Sequence, residues 1–392
     1  MMAPLGPFAA DRRVAVAVSG GADSTALALL LAGWGRPLAL VVDHGLRAES
    51  GAEAALTLQR LTGLGIPARL LQASLHTGPA AAERARLARY ALLTQACREA
   101  GLPDLLVAHH ARDQAETVWM RRGAGSGPTG QAGMAAVTYL DAVRLLRPLL
   151  HAQPGRLRST LAAAGLGWVE DPGNADPATP RARLRAGPLA TTDAVQRLAR
   201  EAAWHGVARA AVEGRIAAEL AGAACLHPEG FAHVGTILSP AALSSLVWTL
   251  SGNRYPPPSA AVERITTALR PGTLHGVRIA LAGRMGPGWL LGREAAAMAP
   301  PAPAAEGWDS RFRLLAAAPP GTTLGALGDD AARLRHRSPL PSFLLRTLPT
   351  LRNGGAIVAV PHLDYPDAAA CRGVPILFCP ARPAAPAPFI AV

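Results

Sequence analysis

The chain contains no lysine: all 39 basic residues are arginine, set against 27 acidic ones. Cysteine is almost as scarce. Cys97, Cys225, Cys371 and Cys379 are scattered through 392 residues with no Cys-x-x-Cys among them. That spacing speaks against a zinc knuckle or a redox pair and leaves free thiols as the expectation. No apolar run approaches the ~20 residues that a membrane-spanning helix needs, so no membrane partner is expected. The stretch Met1-Met2-Ala3-Pro4-Leu5-Gly6-Pro7 has neither a basic region nor an apolar core, so no signal peptide and a cytoplasmic setting are expected.

What is present is apolar and basic. Half of the residues are hydrophobic, which is a globular composition, and the length suggests two or three domains. The net charge is +12, divided evenly between residues 1–187 and 188–392. Arginine offers a planar fork that matches phosphate oxygens. An even excess of it suits a long polyanion lying across several domains.

The most informative stretch is Val14-Ala15-Val16-Ala17-Val18-Ser19-Gly20-Gly21-Ala22-Asp23-Ser24. A β-branched run ends in a Gly-rich turn and is followed by a helical pattern. Strand, turn and helix N-terminus in that order form an anion site, where uncommitted N–H groups and the positive end of the helix dipole converge. Gly20 and Gly21 remove Cβ atoms where a phosphate would approach, and Ser19 and Ser24 add hydroxyls. Asp23 would repel a phosphate unless a cation lay between them, which points to a nucleotide with Mg²⁺. A tight turn with Ser and Asp as helix caps is the plainer alternative.

Strands are expected at 14–18, 38–43, 68–71, 105–108 and 143–148, with helices at 24–33, 52–64, 80–100 and 111–122 between them. This alternation predicts a doubly wound parallel sheet of five strands. In such a sheet ligands bind at the carboxyl ends of the strands, where Ser19–Ser24, Asp43 and His109-His110 would meet. Residues 155–165 and 188–222 read as helical. Residues 225–298 are mixed, with strand candidates at 232–237, 277–282 and 289–291. Residues 298–303 form a Pro/Ala linker, and 308–366 a small β-rich module.

On the helix after His109-His110, Asp113, Glu116 and Thr117 share a face, a pocket for Mg²⁺ or an amine. A metal site of the form His-His-x-x-Asp is a further option. Arg121-Arg122 introduces a Gly-rich loop that could be filler or a mobile lid over phosphate. Arg181, Arg183 and Arg185 alternate, so an extended segment would place them on one face to track phosphates, whereas a helix would splay them.

The turn resembles the Ser-Gly-Gly-x-Asp-Ser loop of the ATP pyrophosphatases. The ordered set is more specific. The turn is followed by Val42-Asp43-His44-Gly45-Leu46-Arg47 and then Ala108-His109-His110 with Asp113, Gln114, Glu116 and Thr117. Arg122-Gly123-x-Gly125, Gly133-Met134, Arg147-Pro148-Leu149 and Glu170-Asp171-Pro172-Gly173-Asn174 with the three alternating arginines complete it. Together they resemble the bacterial tRNA(Ile)-lysidine synthase family over residues 14 to about 187. Gly173 and Ala182 depart from the usual Ser and Asn.

The resemblance implies an adenine nucleotide alpha hydrolase-like catalytic domain at 1–187. It also implies a mainly helical tRNA-binding middle region at 188–298 and a linker with a small module at 299–392. The implied ligase reaction adenylates C2 of the wobble cytidine, position 34, of the CAU-anticodon isoleucine tRNA. Free L-lysine then displaces AMP to give lysidine, which changes the codon read from AUG to AUA. The implied ATP site is Ser19, Gly20, Gly21, Ala22, Asp23, Ser24 and Asp43, with Mg²⁺ at Asp23. Asp113 and Glu116 would bind lysine, His109 or His110 would take its proton, and Arg121, Arg122, Arg181, Arg183 and Arg185 would contact tRNA. A related tRNA thiolase and a non-catalytic tRNA-binding protein are the rival readings, and a homodimer is left open.

Overall fold

A computed structural model describes residues 1–43, 45, 49–73, 81–140, 143–170, 179–267, 269–386 and 389–390. His44, Leu46 and Arg47 of the second motif and 171–174 of the last one lie outside the described residues. The chain divides into two compact units, 1–211 with 389–392, and 212–388. No helix among the described residues is long and apolar enough to cross a membrane.

The first unit is the doubly wound α/β domain. In chain order it runs β1 (Arg13–Ala17), α1 (Ala22–Ala32), β2 (Arg36–Asp43), α2 (Ser50–Gly63), β3 (Ala68–Gln72), α3 (Ala81–Glu99), β4 (Asp104–Leu106) and α4 (Ala111–Gly123). Then come α5 (Pro128–Gln131), β5 (Val137–Leu140), β6 (Val143–Leu146), α6 (Pro154–Ala163), α7 (Pro180–Ala186) and α8 (Thr192–Ala223), of which residues 192–211 belong to this unit and 212–223 to the second. The sheet order is β3-β2-β1-β4-β6-β5. The five expected strands pair in parallel. A sixth, β5, joins the edge antiparallel to β6. Its Val-Thr-Tyr-Leu follows a Gly-rich stretch and is too short to stand out as a periodic pattern.

Apolarity on both strand faces is what buries this sheet. Val14 and Val16 face one core together with Ala39, Val41, Leu106 and Leu146, packed by Leu27 and Leu31 of α1 and Leu157 and Leu161 of α6. Ala15, Leu40, Leu105 and Leu145 face the other, closed by Leu93, Ala96 and Cys97 of α3. Successive residues alternate sides, as the two-residue period of a strand requires. Ala111, Ala115 and Val118 of α4 pack on Leu198, Ala199 and Ala202 of α8.

The second unit contains β7 (Ala224–Leu226), β8 (Phe231–Val234), α9 (Pro240–Ser251), α10 (Ser259–Thr267), β9 (Gly272–Leu274), β10 (Val277–Leu281) and β11 (Trp289–Arg293). These strands form one antiparallel sheet in the order β7-β8-β11-β10-β9. Of residues 188–298, the part expected to be helical forms α8, and the part expected to be mixed carries α9 and α10 together with strands at the three candidate positions, β8, β10 and β11. β7 and β9 are three residues each, below the length at which alternation shows. One sheet face packs on α9 and α10 through Ala232, Val234, Ile279 and Leu291. The other, through Phe231 and Leu290, meets Leu327, Leu344 and Leu345. The remaining strands are β12 (Ala302–Pro303), β13 (Phe312–Leu314), β14 (Thr322–Ala326), β15 (Pro349–Asn353), β16 (Ala356–Ala359) and β17 (Ile376–Phe378). They form a four-stranded antiparallel sheet, β12-β14-β15-β16, and the pair β13-β17.

Candidate active site

α1 starts at Ala22, two residues earlier than its pattern suggests, so Asp23 and Ser24 lie in its first turn. Gly21 is the N-cap, and no side chain covers the cap. The first-turn N–H groups therefore face the turn with the positive end of the helix. Ser24 braces the loop: its Oγ accepts from the Ser19 N–H at 3.1 Å and donates to the Gly21 carbonyl at 3.1 Å. Ser19 Oγ lies 3.2 Å from Ser24 Oγ. Ser19 is exposed and Ala22 is buried.

Gly20 is the tightest point. It has φ +83°, and a Cβ there would lie 2.3 Å from Thr57 Oγ1 and 3.3 Å from a Val169 methyl. The Val169 N–H donates to the Gly20 carbonyl at 2.9 Å. Any side chain would collide with α2 as well as strain the backbone. Sequence reading placed no weight on Thr57 or Val169, because their contact with Gly20 is made only in the folded chain.

β1 and β4 are neighbours, so the turns at their carboxyl ends meet. His110, the N-cap of α4, is 6% exposed. Its Nε2 is 3.3 Å from Asp23 Oδ2 and its Nδ1 is 3.3 Å from Asp113 Oδ2. The same Asp113 oxygen accepts the His110 backbone N–H at 2.9 Å. Burial opposes a charge on His110, but the hydrogen bond that its ring donates to Asp23 and the charges of Asp113, Asp23 and Glu116 outweigh it and raise its pKa. His109 goes the other way. Burial, reinforced by Arg147, Arg86 and Arg89 and opposed by Asp113, pushes it down to about 4. The pKa values of the two adjacent histidines are therefore shifted in opposite directions.

Glu116 is 1% exposed and does not face an open acidic pocket. Arg185 Nε approaches its Oε1 at 2.7 Å, and Arg181 Nε its Oε2 at 3.6 Å. Oε2 has no hydrogen-bond partner. These arginines stand on α7, so of the two alternatives for Arg181, Arg183 and Arg185 the helix is the one formed. At i and i+4, Arg181 and Arg185 share the side that meets Glu116, and Arg183 departs from it.

The Gly-rich loop is pinned. Arg121 Nη1 donates to the Gly130 and Gly133 carbonyls at 2.9 and 2.7 Å. Gln114 exchanges hydrogen bonds with the Met134 backbone at 3.0 and 2.7 Å. Arg122 pairs with Glu201 at 2.6 Å. Both loop arginines are engaged within the protein. Asp43, at the end of β2, accepts the Gly45 N–H at 2.9 Å, the geometry of an Asx turn. Among the described residues, no group of three or more His, Cys, Asp or Glu is arranged to hold a metal.

Two outcomes follow from this geometry. Gly20→Ala should weaken ATP binding by more than about tenfold, measured by calorimetry on a protein that keeps its helical spectrum; unchanged affinity would contradict the close approach. The folded pKa of His109 is depressed below its unfolded value. Its contribution to stability is therefore full above about 6.5 and is lost as pH falls toward about 4. Denaturant midpoints of His109→Gln should fall less than wild type over that window.

The family described as PP-loop domain matches residues 2–189. The curated tRNA(Ile)-lysidine synthase of Bradyrhizobium sp. (strain BTAi1) is 48% identical over 189 residues, 46% of this chain and 52% of that protein. The one from Ruegeria pomeroyi is 39% identical over 275 residues, 66% of each. The one from Methylobacterium sp. (strain 4-46) is 43% identical over 243 residues, 56% of this chain and 70% of that protein. The chain spans about half the length of the Bradyrhizobium protein and 66% of the Ruegeria one. With the motif order, the site geometry and an identity of 43% across 70% of the Methylobacterium protein in agreement, the chain belongs to the tRNA(Ile)-lysidine synthase family.

Proposed function

We propose that the chain uses ATP to join free L-lysine to C2 of the wobble cytidine in the CAU-anticodon isoleucine tRNA. AMP and pyrophosphate are released. The observation that carries this reading is His110 bridging Asp23 and Asp113. It brings the phosphate turn of β1–α1 against the acidic face of α4, so nucleotide and amine chemistry share one rim.

The Ser19–Ser24 turn would hold the departing pyrophosphate through first-turn N–H groups, and Asp43 would lie toward the nucleoside. Asp23 Oδ1 is buried with no hydrogen-bond partner, an orphaned acceptor that fits a cation. Mg²⁺ takes one or two carboxylates together with substrate phosphates, so Asp23 would hold it without a three-residue cluster. When bound, it would offset charge developing on the pyrophosphate. Asp113 and Glu116 would receive the ammonium groups of lysine, Glu116 through the Oε2 that accepts no hydrogen bond and that Arg181 approaches only at 3.6 Å. The attacking ε-amine must lose a proton. Of the two histidines, His110 has the raised pKa and would accept that proton in its neutral form, whereas His109, at about 4, is the weaker base. The amine nitrogen then bonds to C2 and the C2–O bond to AMP breaks. Arg183 and the exposed Arg181 would meet tRNA phosphates, with Arg121 and Arg122 shaping the loop beside them.

The four cysteines are free and unclustered, which does not favour a thiolase. The test is incubation with ATP, Mg²⁺, labelled lysine and the CAU-anticodon isoleucine tRNA, with methionine tRNA as control. Lysine should enter the isoleucine tRNA alone; no incorporation would sink the reading. In the same assay Asp23→Ala should abolish AMP formation while tRNA affinity stays within about twofold.

A further inference from the structure

Phe389 and Ile390 come after the second unit in sequence but pack within the first. From Pro380 to Pro388 the chain is proline and alanine with a single arginine, so these two are the first large apolar side chains after Phe378. Both are used. Phe389 is 5% exposed. The Arg209 guanidinium of α8 lies over its ring, 4.6 Å from the centroid, within cation–π reach. Arg209 Nη1 also donates to the Thr129 carbonyl of α5 at 3.4 Å. Ile390 packs against the core that contains Ala136, Val137 and Leu149, and its carbonyl accepts the Ala136 N–H at 2.9 Å. The pair therefore meets the Gly-rich loop, 124–136, at two places: at Ala136 directly and at Thr129 through Arg209.

That loop is in turn fastened to α4. Gln114 holds the Met134 backbone through both of its amide atoms. Gly133, at φ +66°, comes so close that a Cβ there would lie 2.6 Å from Gln114 Oε1. On the other side, the Ala136 carbonyl accepts the Arg147 N–H at 2.8 Å, and Arg147 Nη1 donates to the Ala135 carbonyl at 2.7 Å. Gln114 follows Asp113 and stands two residues before Glu116, so a shift of 133–136 is passed to the acidic face of α4. Close-packed contacts of this kind transmit displacement rather than absorb it. None of these contacts involves the Ser19–Ser24 turn.

We propose that Phe389 and Ile390 are positioning residues for the amine half of the site. They hold the Gly-rich loop against α4, and through Gln114 that loop sets where Asp113 and Glu116 meet the amine substrate. The ATP turn, on β1 and α1, is independent of them. The proposal rests on the lysine-ligase reading above.

The test uses the full chain and Phe389→Ala/Ile390→Ala. Amide hydrogen exchange over 124–136 should quicken about tenfold in the variant, while exchange over α1 stays within about twofold. In the ligase assay, KM for lysine should rise about tenfold, with kcat and the calorimetric affinity for ATP within about twofold. Phe389→Tyr/Ile390→Val, which keeps the ring and most of the packing, should restore KM. Arg209→Gln, which removes the group over the ring, should quicken exchange over the same loop. Unchanged exchange over 124–136, or faster exchange with an unchanged KM for lysine, would overturn the proposal. So would ATP affinity falling in parallel with KM rising, the mark of a general loss of structure. If the wild type transferred no lysine, the ligase reading would fall by itself. Exchange would then decide the rest: quickening confined to 124–136 would leave the loop contact standing, and unchanged exchange would remove it as well.

Discussion

His110 lies between two carboxylates, 3.3 Å from each, and that arrangement ties together everything at the rim of the sheet. It is possible because β1 and β4 are adjacent, so the turn that ends in Asp23 and the turn that begins α4 emerge side by side. A buried imidazole alone would stay neutral. Two acids beside its two nitrogens stabilise the charged form and raise its pKa, and the same contact sets where Asp23 and Asp113 point. The neighbouring His109, without such a pair and close to Arg147, is held neutral. One residue step along the chain thus separates a histidine whose pKa is raised from one whose pKa is lowered.

The phosphate turn depends on a different kind of constraint. Gly20 is clamped between Thr57 and Val169, and Ser24 fastens the loop from inside through the Ser19 N–H and the Gly21 carbonyl. Such a loop is shaped before a ligand arrives, and little ordering is left to oppose binding. Glu116 is likewise organised in advance, by arginines arriving from α7.

Much of this was legible in the sequence. The alternating apolar runs located all five parallel strands, and the Gly-Gly turn, His109-His110 and Asp113 pointed to one rim. What escaped has physical reasons. β5, β7 and β9 are too short to show a period. The alternation of Arg181, Arg183 and Arg185 suits a strand as well as a helix until α7 is seen to dock on α4. The clamp at Gly20 and the Gln114 link to Met134 join residues 37 or more and 20 positions apart, beyond any local pattern.

Asp23 and Asp113 together raise the pKa of His110, and the arrangement of the rim depends on that pairing. The direct measurement is an NMR pH titration of the His110 ring in wild type and in Asp23→Asn. The wild-type ring should titrate above the ordinary value of about 6.5, and the Asp23→Asn ring lower than wild type. A wild-type His110 that titrates at or below the ordinary value, or one unmoved by Asp23→Asn, would contradict the account.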